Sequence, residues 1–268
     1  MTSYAPPPQP MQVQGTTRVP LSRLVRVELR KAVDTLASFW LVVGIAILIF
    51  LVEAFILVAV LVEGSRSSPG DFALIASYLS AVALPVLAIM LVTTEWSQRT
   101  AMVTFSLEPR RGRVLLAKYL VCLLLTLAAV VLGVVVGFAC ALVCQVAQPD
   151  VTTWDLGGEF LGGFVVTQLI ATTLGFAFAC LLLNTPAAIV VFVLYRVIPV
   201  SAFGIVQGFF PGFEDVRPWV DFEFSQGPLY DWSISGASEW LQLLVSGALW
   251  LGLPLFFGLM RILRAEVK

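Results

Sequence analysis

Residues Glu95 to Lys118 read EWSQRTAMVTFSLEPRRGRVLLAK. This is the one long charged segment caught between two strongly apolar runs. It carries Arg99, Arg110, Arg111, Arg113 and Lys118. The runs around it set the fold. The chain of 268 residues is 59% hydrophobic and only 12% charged, with a mean hydropathy of +0.95. A soluble domain carries about 25% charged residues, so the bilayer is the solvent here. Roughly 20 apolar residues form a helix that crosses the hydrocarbon. Six runs qualify: Ala37 to Val62, Phe72 to Thr94, Val114 to Val143, Gly158 to Leu183, Ala187 to Val206, and Glu239 to Met260. The fourth and fifth are parted only by Asn184, Thr185 and Pro186.

Orientation follows from the distribution of Lys and Arg over short loops. The amino-terminal segment holds Arg18, Arg23, Arg26, Arg30 and Lys31, and the carboxyl tail holds Arg261, Arg264 and Lys268. With the Glu95–Lys118 loop they make three basic segments. The remaining loops have only Arg66 and Arg217, against acids such as Glu63, Asp71, Asp150, Asp155, Glu159, Glu214, Asp215, Asp221, Glu223, Asp231 and Glu239. An even number of spans puts all three basic segments on one side. The expected fold is all-α: a polytopic membrane protein with six transmembrane helices and both termini cytoplasmic, in an inner or plasma membrane.

Outside the spans, residues 1–19 are rich in Pro and Gln and lack an apolar core, so they read as a disordered cytoplasmic tail rather than a signal peptide. Residues 20–36 read as an amphipathic helix with Leu21, Val25, Leu29, Ala32 and Leu36 on one face and Arg23, Arg26 and Arg30 on another. Such a helix lies along the cytoplasmic leaflet before the first span. Residues 37–268 form a single transmembrane domain. Within it, Ser97 to Leu107 is expected to be a short helix, ending where Glu108 precedes Pro109 and is pushed out of helical dihedrals. Residues 207–238 mix Gly and Pro with Phe209, Phe210, Phe213, Trp219, Phe222, Phe224 and Trp232. Short helices dipping into the outer leaflet account for so many aromatics.

Chemistry-bearing residues are sparse. There is no histidine, and Cys122, Cys140, Cys144 and Cys180 form no C-x-x-C pair. That argues against a metal site and for packing cysteines. No catalytic constellation stands out, and histidine-based metalloprotease chemistry is absent. Two charges fall inside spans, Glu53 in the first and Arg196 in the fifth. An intramembrane Arg costs about 2.5–3.5 kcal/mol on insertion scales, so the two are expected to approach each other, within one subunit or across a dimer interface. Gly133-x-x-x-Gly137, Gly158-x-x-x-Gly162 and Gly204-x-x-x-Gly208 permit close helix approach, within the chain or across a dimer.

The loop resembles the one joining the second and third spans of type-2 ABC exporter permeases. That pattern has an acidic residue after the second span, then a Gly/Arg-Thr element, then Pro-Arg-x-x-x-[Val/Ile]-Leu-x-x-Lys opening the third. Here Glu95, Arg99-Thr100, Pro109-Arg110, Val114-Leu115 and Lys118 appear in that order. Gln98 departs from it, where a glycine often precedes the threonine element. The resemblance runs from about Leu21 to the carboxyl end. It implies that residues 97–107 are a coupling helix that docks on an ATP-binding subunit through Ser97, Gln98, Arg99, Thr100, Val103, Thr104 and Leu107. Asn184 and Thr185 would make a second, smaller contact. No G-x-x-x-x-G-K-[ST] phosphate loop is present, so the chain is not read as the ATPase. The implied assembly has two nucleotide-binding subunits, which hold ATP and Mg, and a second permease copy or homologue. No cofactor is expected in this chain, and no nucleic acid. The implied function is export of an amphiphilic drug, peptide or lipid, with re-entrant helices capping the outer end of the path. The competing reading is a secondary transporter driven by an ion gradient, with Glu53 and Arg196 as coupling charges. The chain shows no obvious inverted repeat to support it.

Overall fold

The computed structural model describes residues 19–34, 36–98, 100–154, 158–230 and 232–264. The expected tail up to Arg18, together with Arg99, Asp155, Asp231 and Lys268, lies outside them. Helix α1 spans Leu21–Asp34, α2 Leu36–Glu63, α3 Pro69–Ser97, α4 Ala101–Leu107, α5 Arg111–Ala147, α6 Gly158–Leu182 and α7 Thr185–Phe209. A 3₁₀ turn, Pro211–Asp215, leads into three one-turn helices: α8 Arg217–Val220, α9 Phe222–Ser225 and α10 Gly227–Tyr230. The last span runs from α11, Ala237–Gly247, through a π-helical turn, Ala248–Gly252, into α12, Leu253–Arg264. Among the described residues, six helical segments are long and apolar enough to cross a membrane.

Local chemistry sets the helix ends. Gly64, at φ +63°, closes α2 in the left-handed region, where a glycine carries no Cβ penalty. Ser68 and Asp71 form a reciprocal capping box on α3, with Pro69 in its first turn. Asn184 caps α7 by accepting from the Ala187 N–H at 3.0 Å. Thr185 and Pro186 therefore belong to the first turn of α7, and the break between the fourth and fifth spans is shorter than the sequence suggests. Proline fits there because a first-turn N–H has no helical partner to lose. With 37 residues, α5 is about 55 Å long at the usual rise, and it extends past a hydrocarbon layer of about 30 Å.

The core lies around α3 and α6. Their most apolar stretches are 56% and 61% buried within the chain, against 17–18% for α2, α7 and the last span. Peripheral helices thus turn most of their apolar surface outward, as expected where lipid is the solvent. Close backbone approach depends on absent side chains. A Cβ on Gly175 would stand 2.6 Å from the Pro85 carbonyl oxygen, and one on Gly258 would stand 2.7 Å from the Leu181 nitrogen. Gly133 and Gly137 face Ala76 and Phe72 of α3, so this small-residue pair packs α5 against α3 within the chain. All four cysteines are buried free thiols.

The outer loops are clasped together. Ser67 and Thr152 make an isolated parallel bridge, and the Gln148 side-chain amide donates to the Leu61 carbonyl at 2.8 Å. The one-turn helices pack on the spans: Ser225 Oγ meets Ser246 Oγ at 2.7 Å. Trp250, in the π turn, donates to the Val220 carbonyl at 2.7 Å. At Gly163 a Cβ would stand 2.2 Å from the Leu229 oxygen, which presses α10 onto α6. We expect Gly163→Ala to force that backbone apart and to cost about 1–3 kcal/mol as an overpacked contact. Thermal melting measures it, and a change below about 0.5 kcal/mol would contradict this packing.

Candidate functional site

The three basic segments meet at one end of the bundle. Arg111, at the start of α5, donates to the Ile262 carbonyl near the end of α12 at 2.9 Å. Arg261 donates to the Leu181 carbonyl, and Arg113 to the Val19 carbonyl. Helix α4 sits on this end.

The sequence pattern starts the short helix at Ser97, but in the structure Ser97 closes α3 and Gln98 caps it. Trp96 and Phe105 pack with ring centroids 5.9 Å apart, so the chain must reverse between them. Helix α4 starts only at Ala101, and it ends where expected, at an extended Glu108 before Pro109. Its inner face carries buried Ala101 and half-buried Phe105, over whose ring the Arg111 guanidinium stands at 5.2 Å. Its outer face leaves Met102, Val103 and Leu107 exposed, Leu107 to 79%. Gln98 and Thr100 are exposed in the turn, Thr104 is half-buried, and Arg99 lies outside the described residues.

The two docking segments inferred from sequence are neighbours. Thr185 Oγ1 lies 2.8 Å from Thr93 Oγ1 and 3.3 Å from Ser97 Oγ. Asn184, exposed beside it, is committed to capping α7.

A charge cluster that sequence reasoning missed lines the same groove as α4. Lys118 Nζ contacts Glu28 Oε2 at 2.6 Å and Glu95 Oε1 at 3.1 Å. Lys31 Nζ contacts Glu28 Oε1 and Glu95 Oε1, each at 2.8 Å. Lys118 also donates to the Leu91 carbonyl at 3.2 Å. The four side chains tie α1 to α3 and α5. Glu28 and Lys118 have side chains less than a tenth exposed, so neither charge can rely on water. Two ammoniums and two carboxylates leave the cluster neutral, the condition under which buried charges persist. Glu28 lies on the apolar face of α1, one turn from both Val25 and Ala32, where a carboxylate is the one local signal; its partner Lys118 is 90 residues away. That face is itself corrected at its end. Leu36 belongs to α2 and is 77% exposed, while Ala32 is buried.

Burial alone would lower the Lys31 pKa, but its hydrogen bonds to Glu28 and Glu95 outweigh this and raise it above the usual lysine value of 10.5. A raised pKa contributes stability that is present in full below the unfolded value and is lost as pH rises through the folded one. The α1 attachment is therefore expected to hold from neutral pH up to about 10.5 and to loosen only above it. Proteolysis near residue 34 as a function of pH would show this. Loosening already between pH 7 and 9 would contradict it.

Within the chain the two intramembrane charges do not meet. Arg196 ion-pairs with Glu223 of α9, so within the chain the expected partner, Glu53, is replaced by an acid from the aromatic-rich segment between the last two spans. Its flanks, Phe222 and Phe224, are the available signal that this acid lies against the spans. Glu53 is fully buried, and neither carboxylate oxygen has a hydrogen-bond partner among the described residues. A Cβ on Gly133 would approach Glu53 Oε1, Ala76 and Phe164, which places Glu53 where α2, α3, α5 and α6 converge. No cluster of three or more potential metal ligands occurs among the described residues.

Fold and site together define a multi-pass membrane protein that presents a short, partly apolar helix on its basic end. The family model described as ABC-2 family transporter protein matches residues 36–248. The chain belongs to that family, and it is a permease subunit of the ABC transporter class. Membership implies partnership with an ABC ATPase subunit. The matched region contains α4, Asn184 and Thr185, and also Glu95 and Lys118; Glu28 and Lys31 precede it. Comparison with curated proteins returns no match.

Proposed function

We propose that this permease couples ATP hydrolysis by two separate nucleotide-binding subunits to export of an amphiphilic drug, peptide or lipid. The basic end is cytoplasmic, in an inner or plasma membrane. The ATP-binding subunit docks on α4 through Val103, Thr104 and Leu107, with Ser97, Gln98, Arg99 and Thr100 at its base and Asn184 and Thr185 beside it. The partner holds ATP and Mg, and a second permease copy or homologue completes the path.

One observation supports this reading best. The exposed apolar side of α4 shares one groove with an ionic cluster that joins α1, α3 and α5. Short connections join α4 to α3 and α5, so a load applied to α4 passes into two spans, and the Glu28–Lys31–Glu95–Lys118 contacts tie those spans to α1. Closing of the ATP-binding subunits would move α3 and α5 together with α1. The substrate class follows from the apolar character of the spans, and the re-entrant reading of residues 207–238 makes the α8–α10 region the outer cap. The ion-gradient alternative uses Glu53 and Arg196 as coupling charges, and Arg196 is engaged by Glu223.

The test is reconstitution of the chain in vesicles with ATP-binding subunits encoded beside it. Hydrolysis by those subunits should rise when the permease is present and respond to amphiphiles. Transport that continues without any ATP-binding subunit and follows an imposed ion gradient would overturn the proposal.

A further inference from the structure

Helix α1 carries two parallel stripes. Arg23, Arg26 and Arg30 recur at helical spacing, and all three are exposed. One residue further on, Leu24, Val27 and Lys31 repeat the same spacing and line a groove of about 530 Å³. Its other walls are mainly apolar and come from α3, α4 and α5, among them Met90, Leu91, Val103 and Val114. The ionic cluster forms its floor and is neutral within itself. An apolar groove therefore runs beside a row of guanidinium groups at the end of the bundle where the basic segments gather.

Arg23 and Arg26 have no ion-pair partner among the described residues. Arg30 pairs with Asp34 at 2.9 Å, but both side chains are well exposed, and such a pair is weak enough to exchange. Guanidinium groups bind phosphate oxygens in a bidentate manner. Charge complementarity therefore selects an anionic amphiphile. It disfavours the chain's own residues 1–18, whose single charged side chain is Arg18, a cation like the stripe. We propose that the groove and the arginine stripe form a binding site for an acidic phospholipid, with an acyl chain against Leu24 and Val27 and the phosphate on Arg23 and Arg26. The groove shares Val103, Thr104 and Leu107 with the proposed docking face, but the lipid contacts on α1 do not depend on the ATP-coupling reading.

The test uses the purified full chain in detergent, melted in the presence of phosphatidylglycerol or of phosphatidylcholine with the same acyl chains. A ligand that binds only the folded state raises the melting temperature by mass action. We expect phosphatidylglycerol to act at roughly tenfold or more lower concentration, given two basic residues at the site. Arg23→Gln with Arg26→Gln should erase that preference and leave melting without lipid unchanged, since both side chains are exposed. Val27→Trp should fill the groove and weaken both lipids. Equal action of the two lipids, a preference that survives the arginine substitutions, or indifference to Val27→Trp would each overturn the proposal. A preference that emerges only after residues 1–17 are removed would assign the groove to that segment and overturn it equally.

Discussion

Lys118→Met is expected to destabilise the chain by about 3–5 kcal/mol, the usual cost of removing one partner from a buried ion pair. The methylenes of lysine are kept, so lost packing contributes little. What remains is Glu28 and Glu95 facing each other with Lys31 alone between them. Lys31 is the more exposed of the two lysines, with a side chain 40% accessible, and it cannot neutralise both carboxylates. Adding Glu28→Gln restores the charge balance and should recover roughly half of the loss, because residues in one ionic network are not additive. Melting of the single and double variants measures this. A loss below about 1 kcal/mol, or a double variant less stable than Lys118→Met, would show that the four contacts are not a network.

The second large effect concerns α4. Val103→Glu with Leu107→Glu should weaken binding of the ATP-binding subunit by at least about 100-fold. Apolar anchors at the centre of an interface are each worth about 2 kcal/mol or more when they are hot spots, and a carboxylate desolvated without a partner adds to the cost. The variant itself should fold normally, since Val103 is 61% and Leu107 is 79% exposed. A binding assay with the detergent-purified pair reads the affinity, and melting of the permease alone checks its fold. An affinity within threefold of the unaltered chain would remove α4 as the docking element.

These two expectations draw on different levels of legibility. The spans are readable because an apolar run of membrane length has little to bury it except a bilayer, and α2, α3, α5 and α6 fall close to where the pattern puts them. The end of α4 is readable because Pro109 acts locally on Glu108. Its start is not, because the reversal between Ser97 and Ala101 is set by Trp96 packing on Phe105, a contact between two helices. The charge cluster is hidden for the same reason. Glu95 and Lys118 stand out as charges at span boundaries, and Glu28 as a carboxylate on the apolar face of α1, but no local pattern says that the three meet. Arg196 does need a partner, as its place in a span implies. Choosing Glu53 assumes that depth along two helices decides the pairing, whereas Glu223 returns to Arg196 from the aromatic-rich region between the last two spans. The π turn at Ala248–Gly252, which aims Trp250 at Val220, has no counterpart in the hydrophobic pattern of that span.

The central claim is that α4 is the surface through which an ATP-binding subunit acts on this permease. Site-specific cross-linking tests it most directly, because Cys122, Cys140, Cys144 and Cys180 are buried and an introduced surface thiol would be the accessible one. Val103→Cys or Leu107→Cys, carrying a short bifunctional reagent, should capture the ATP-binding subunit. Val216→Cys, exposed at the opposite end, should not. Capture from Val216, or no capture from either α4 position while the complex still co-purifies, would contradict the account.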